Sequence, residues 1–155
     1  MIKALIGFCI CATMFMGGNM EVKSIQQHLT SSSNAYVIVD NDYKKIDDLN
    51  ELNNVLNKML QDSYTMPAFG VSIHTETLNA IKNGVWLKLQ YNGTQNVDEM
   101  PFDELLIEIN PEFSGFNIIR GNKGIYDGRC YYVNLTNNTM QELYQYIFNI
   151  DKIKK

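Results

Sequence analysis

Residues Phe102 to Leu135, FDELLIEINPEFSGFNIIRGNKGIYDGRCYYVNL, decide the fold, because turn-forming residues cut this stretch into three apolar runs. Leu105, Ile107 and Ile109 alternate with Leu106, Glu108 and Asn110, the period of two that sends one set of side chains to a core and the other outward. Pro111 removes a ladder donor and Ser114-Gly115 redirects the chain, so the first strand stops there. Phe116 to Arg120 forms the second run and Cys130 to Leu135 the third. Between them, Asn122-Lys123-Gly124 and Asp127-Gly128 are separate turn signals, and Gly121, Gly124 and Gly128 stand where positive φ is expected. The expectation is a β-meander whose last two strands make a long hairpin, with Ile125 and Tyr126 paired beyond a tight turn and followed by a bulge.

Upstream of the meander, Ala35 to Val39 (AYVIV) is a β-branched run ended by Asp40-Asn41-Asp42, as in a strand covered on both faces. Asp48 with Glu51 has capping-box spacing, and Leu49, Leu52, Leu56, Met59 and Leu60 then trace one helix face to about Ser63. Phe69 to Ile73 reads as a second strand, so strand, helix and strand together predict a right-handed parallel crossover. Thr75 is expected to cap a brief helix closed by Asn83-Gly84. Val85, Leu87, Leu89 and Tyr91 alternate with Trp86, Lys88 and Gln90 as a half-exposed strand, and Asn92 to Pro101 reads as a loop. Asn138 or Thr139 caps a last helix with Met140, Leu143, Tyr144, Ile147 and Phe148 as its stripe. The fold class that follows is α+β, a single domain with a mixed sheet of about six strands ending in the antiparallel meander and helices packed on one face.

The chain has 155 residues, one domain by size, and its 45% hydrophobic content excludes a disordered polymer. A net charge of -4 leaves no basic footprint for nucleic acid. Residues 1–18 carry Lys3 followed by an uncharged apolar run from Ala4 to Met16, the pattern of a signal peptide or N-terminal membrane segment. As a helix that run would be roughly 20 Å long, short of the ~30 Å hydrocarbon core, which favours a removable leader over a spanning anchor. Residues 19–34 then form a short helix or linker, 35–151 the α+β domain and 152–155 a basic tail. The expected location is extracytoplasmic, secreted or membrane-associated through the N-terminal segment alone. Removal of the leader would take Cys9 and Cys11 with it, leaving Cys130 without a disulfide partner.

No catalytic, metal-ligand, nucleotide or other cofactor motif occurs, and no cofactor is expected. Arg120 and Arg129, the only two arginines, border the glycine-rich turn with Lys123 between them. This is a local positive cluster in an acidic chain, suited to an anionic group. Cross-strand pairing with Glu108 or Glu112 is the competing structural explanation. Trp86, Tyr91, Tyr126, Tyr131 and Tyr132 lie on strands or the hairpin, where alternation must leave some aromatics outward-facing to anchor a ligand or a protein. The carboxylates from Asp98 to Glu112 fit no calcium loop and read as a solvated rim.

These features point to an exported or surface-associated, non-enzymatic binding domain. Its expected site is Trp86, Arg120, Lys123, Tyr126, Arg129 and Tyr131, and its expected partner an unidentified protein or small anionic ligand. Two alternatives stand beside it. One is a small hydrolase using Cys130 with His74, or a carboxylate pair; the other is a cytoplasmic interaction or immunity-type protein.

Overall fold

The computed structural model describes residues 23–153, and the side chains of all of these except 67–69 and 151–153. The leader expected over residues 1–18, and the end of the basic tail, lie outside the described residues. In chain order the elements are α1 (Ile25–Leu29), β1 (Asn34–Val39), β2 (Asp42–Lys45), α2 (Leu49–Met59), β3 (Tyr64–Ser72) and α3 (His74–Ala80). They are followed by β4 (Val85–Val97), β5 (Met100–Glu108), β6 (Gly115–Gly121), β7 (Gly128–Asn134) and α4 (Gln141–Ile153).

The meander is present: β4, β5, β6 and β7 are neighbours in sequence and in the sheet. Among the described residues the sheet has seven strands in the order β2-β1-β4-β5-β6-β7-β3. Every pairing is antiparallel, which corrects the expected mixed sheet. The expected parallel crossover fails with it. The helix α2 does connect β1 to β3, but it carries the chain across the sheet, and β3 joins β7 at the far edge. Length and periodicity could not separate these connections, since both need a helix on a sheet face.

The seventh strand is β2, four exposed residues that turn back on β1 through Asp40 and Asn41, both at positive φ (46° and 73°). Aspartate and asparagine are the non-glycine residues that tolerate such a turn. Short, charged β2 blunts that edge of the sheet, while a register shift between Pro67 and Val71 in β3 interrupts the other. The expected loop from Asn92 to Pro101 is instead a hairpin. Strand β4 runs on to Val97 past a bulge between Gln90 and Gln95, and Asp98-Glu99 turns into β5.

Strand alternation divides the core. On one face Ala35, Val37, Leu87, Leu89, Leu105, Ile107, Phe116, Ile118 and Val133 meet Ile25 and Leu29 of α1, Leu52, Leu56 and Met59 of α2, and Leu143 and Ile147 of α4. On the opposite face a smaller cluster forms from Ile38, Trp86, Leu106 and Tyr126, closed by Ile81 at the end of α3. Helices therefore do not all pack on one face. Among the described residues twenty-four buried members form the first cluster against five in the second. At about 1.5–3 kcal/mol per large buried apolar side chain, most of the stabilisation comes from the first. The second face is left largely open.

Local signals hold the helices in place. Asp48 accepts the Glu51 amide at 2.9 Å, as its capping spacing predicts. At the other end of α2, the Asn138 side-chain amide donates to the carbonyls of Lys58 and Met59, tying α2 to the entry of α4. Ser24 caps α1 with a capping box that includes Gln27.

Candidate functional site

The β6–β7 hairpin turns at Lys123 (φ 52°) and Gly124 (φ 78°), closed by reciprocal backbone hydrogen bonds between Asn122 and Ile125. Gly121 does not need positive φ. It is glycine because the Tyr126 ring and the Glu104 side chain occupy the space its Cβ would fill, at 2.6 and 2.7 Å. Tyr126 is thus folded back over the sheet instead of extending the ladder as expected.

The two arginines do not form one fork. Arg120 points to the helix-covered face, is 6% exposed, and spends Nε and Nη2 on the carbonyl oxygen of Arg129. Burial lowers its pKa, while the neighbouring Tyr131, Cys130 and Asp98 act in the opposite direction. The Arg129 side chain is exposed, as is Lys123, whose backbone N–H donates to the Asp103 carboxylate. Tyr131 lies on the same covered face as Arg120 and donates its hydroxyl to Asp98 at 2.6 Å. Trp86 and Tyr126 lie on the open face. The six residues singled out from the sequence are accordingly split between both sides of the sheet.

Beneath Tyr126 on the open face, Lys88 and Glu104 form an ion pair of 3.0 Å with side chains only 16% and 8% exposed. The Lys88 ammonium also lies 5.7 Å from the Tyr43 ring centroid. Tyr126 has its ionisation suppressed by burial and then by the adjacent Glu104. His74 stacks on Tyr126 (5.8 Å between centroids) and accepts its backbone N–H at Nδ1, so the proton of a neutral ring is on Nε2. These contacts hold the hairpin down on the sheet.

His74 and Cys130 are engaged separately. The thiol sits against Ser72 on the open face, and burial pushes its pKa up, away from thiolate chemistry. Among the described residues no group of three or more histidine, cysteine, aspartate or glutamate side chains is placed to hold a metal ion. No helix of the described residues is long and apolar enough to cross a membrane.

The open face also carries a groove. Its wider end, about 450 Å³, is lined by Trp86, Phe113, Tyr132, Glu108, Glu112 and Asn117 among others. Register explains the grouping: Trp86 pairs with Glu108 across β4–β5 and Asn117 with Tyr132 across β6–β7, all four facing the same way. Gly115 lets Tyr132 cross its strand, because a Cβ there would collide with the Tyr132 ring and hydroxyl. The Trp86 indole N–H is satisfied by the Asn83 carbonyl at 2.9 Å, which fixes the ring. A narrower end of about 290 Å³ runs beneath α3 between Val71, Ile73, Glu76 and Cys130, and Asn117 and Ile119 line both ends. Of the six residues of the expected binding site only Trp86 lines this groove, and Cys130 of the hydrolase alternative lines its narrow end. Tyr132 reads as one aromatic among several and Glu108 and Glu112 as a solvated rim; the signal that would have joined them is the β4–β5 register.

No protein-family model, curated protein or solved structure matches the chain.

Proposed function

We propose that this chain is a non-enzymatic, exported or surface-associated interaction domain that binds a protein partner along the open face of its sheet. The observation that carries this reading is the groove between the β5–β6 loop and α3, floored by strands with the buried Trp86 in its lining, and walled by Tyr132 and the half-exposed Phe113. Aromatic side chains in a preformed concavity are the usual anchors of protein recognition, because they bury a large area at small cost in side-chain entropy. Val71 and Ile73 add exposed apolar surface at the far end. The small anionic ligand loses its support, since Arg120 is committed to a backbone carbonyl. Export rests on the Lys3-led apolar leader.

Asn117 is exposed on the groove floor, so Asn117→Arg fills the groove without entering the core. Wild-type protein should retain a defined partner from the native extracellular fraction, and the variant, at an unchanged melting temperature, should not. Equal capture by both proteins overturns the groove as the binding surface. For export, mass spectrometry should find a mature N-terminus near residues 17–22, or the intact leader in membranes; full-length protein in the cytosol removes that part of the reading.

A further inference from the structure

We infer that the partner presents a basic segment, with a lysine or arginine side chain set between the Tyr132 ring and the carboxylates of Glu108 and Glu112. This rests on the interaction-domain reading and adds the chemistry of the partner. The argument is charge complementarity. Glu108 and Glu112 line the wide end of the groove, Glu76 lines the narrow end, and among the described residues no lysine or arginine lines either. Elsewhere on the same face the positive charge of Lys88 is neutralised by Glu104. An anionic or purely apolar segment laid here would face carboxylates over its length. A cation over aromatic rings is attracted by their quadrupoles, and flanking carboxylates add to that attraction when water is partly excluded. Guanidinium and ammonium groups satisfy both demands, and apolar residues flanking them would cover Val71 and Ile73.

Trp86 is the single tryptophan of the chain and lines the wide end, so its fluorescence reports the groove directly. Full-chain protein is titrated with a capped Ala-Leu-Arg-Leu-Ala peptide, with the same peptide carrying Glu for Arg, and with N-methylguanidinium alone. The arginine peptide should change Trp86 emission saturably, and the glutamate peptide should not. Its affinity should fall about tenfold in the double variant Glu108→Gln/Glu112→Gln, as expected for losing two partly screened charges beside the cation. It should be unchanged in Glu51→Gln/Glu142→Gln, which has the same net charge but alters exposed helix positions. No saturable response, equal loss in both double variants, or binding of the glutamate peptide overturns the inference. Equal affinity for free N-methylguanidinium replaces the partner segment with a small cation, and so overturns it as well. If Asn117→Arg still abolishes partner capture while the arginine peptide does not bind, the interaction domain stands and its basic partner does not.

Discussion

The guanidinium of Arg120 donates twice to one acceptor, from Nε at 3.1 Å and from Nη2 at 2.9 Å, and that acceptor is the carbonyl oxygen of Arg129. A buried cation thereby joins β6 to the start of β7, where the ladder between the two strands, paired from Gly115 to Ile118 on β6, does not reach. Gly128, at φ 124°, is part of the arrangement, since its missing Cβ would lie 3.0 Å from Nη2.

Arg120→Lys should therefore destabilise the fold by about 1–3 kcal/mol, because an ammonium cannot reproduce two planar donors and is left under-bonded in a buried site. Arg129→Lys should change stability by less than about 0.5 kcal/mol, as its side chain is exposed and only its backbone is used. Urea melts of the two variants settle it; equal effects would mean that the carbonyl contact contributes nothing.

Gly121 and Gly124 look alike in sequence and fail differently. Gly121→Ala forces a methyl into Tyr126 and Glu104, and should cost about 1–3 kcal/mol while disturbing the Lys88–Glu104 pair. Gly124→Ala meets open space and is penalised only through its positive φ, by about 1 kcal/mol. A shifted Tyr126 ring resonance in the first variant and not in the second is the accompanying sign. Equal costs with unchanged Tyr126 shifts would show that the close packing is not what selects glycine.

The strands of the meander were legible because proline, glycine and alternation are local. So was the cap at Asp48, whereas α3 stops at Ala80 with its C-cap at Ile81, ahead of the expected Asn83-Gly84. What escaped sequence reading depends on distance along the chain. Strand β3 chose β7 rather than β1, more than fifty residues away from its partner, and no local pattern encodes that choice. Asp98-Glu99 turns at φ 52° and 62° without a glycine, so the β4–β5 hairpin carried no turn signature. The site suffered from the same cause. Arg120, Tyr126 and Tyr131 are close in sequence, but alternation and the folded-back hairpin put them on opposite faces, while the groove assembles residues from β4, β5, β6 and β7.

The first turn of α3 shows how a missing local cap is supplied from elsewhere. Ile73 stands at the N-cap and offers no side-chain acceptor; Thr75, the expected cap, lies inside the helix. Instead the Asp127 carboxylate, on the hairpin, accepts the His74 amide at 2.7 Å. Asp127→Ala should cost about 0.5–2 kcal/mol, and Asp127→Asn much less, because asparagine can accept the same hydrogen bond. Amide exchange should accelerate at Thr77 and through α3 in the alanine variant. Unaltered exchange there would remove Asp127 from the stabilisation of the helix.

Alkaline pH should unfold this protein through its buried phenols. Burial suppresses ionisation of Tyr91 and Tyr126, and of Tyr131, where the hydrogen bond to Asp98 adds to the effect. Tyr146 is pushed up to about 12 by burial and by the nearby carboxylates of Glu51 and Asp48. In the unfolded chain each of these phenols ionises near about pH 10. Above that pH the unfolded state has released protons that the native state still holds, so fewer protons are bound in the unfolded state and stability falls as pH rises. Below about pH 9 both states hold them, and these groups contribute no slope. The urea midpoint should therefore lose nothing to these phenols up to about pH 9 and decline from about pH 10. Tyrosinate absorbance should show part of the nine tyrosines titrating only as the protein unfolds. In Tyr131→Phe the protein starts less stable, having lost the Asp98 hydrogen bond, but its decline above pH 10 should be shallower by one phenol's share. A native-state titration in which every tyrosine ionises near pH 10 would contradict the burial of these side chains.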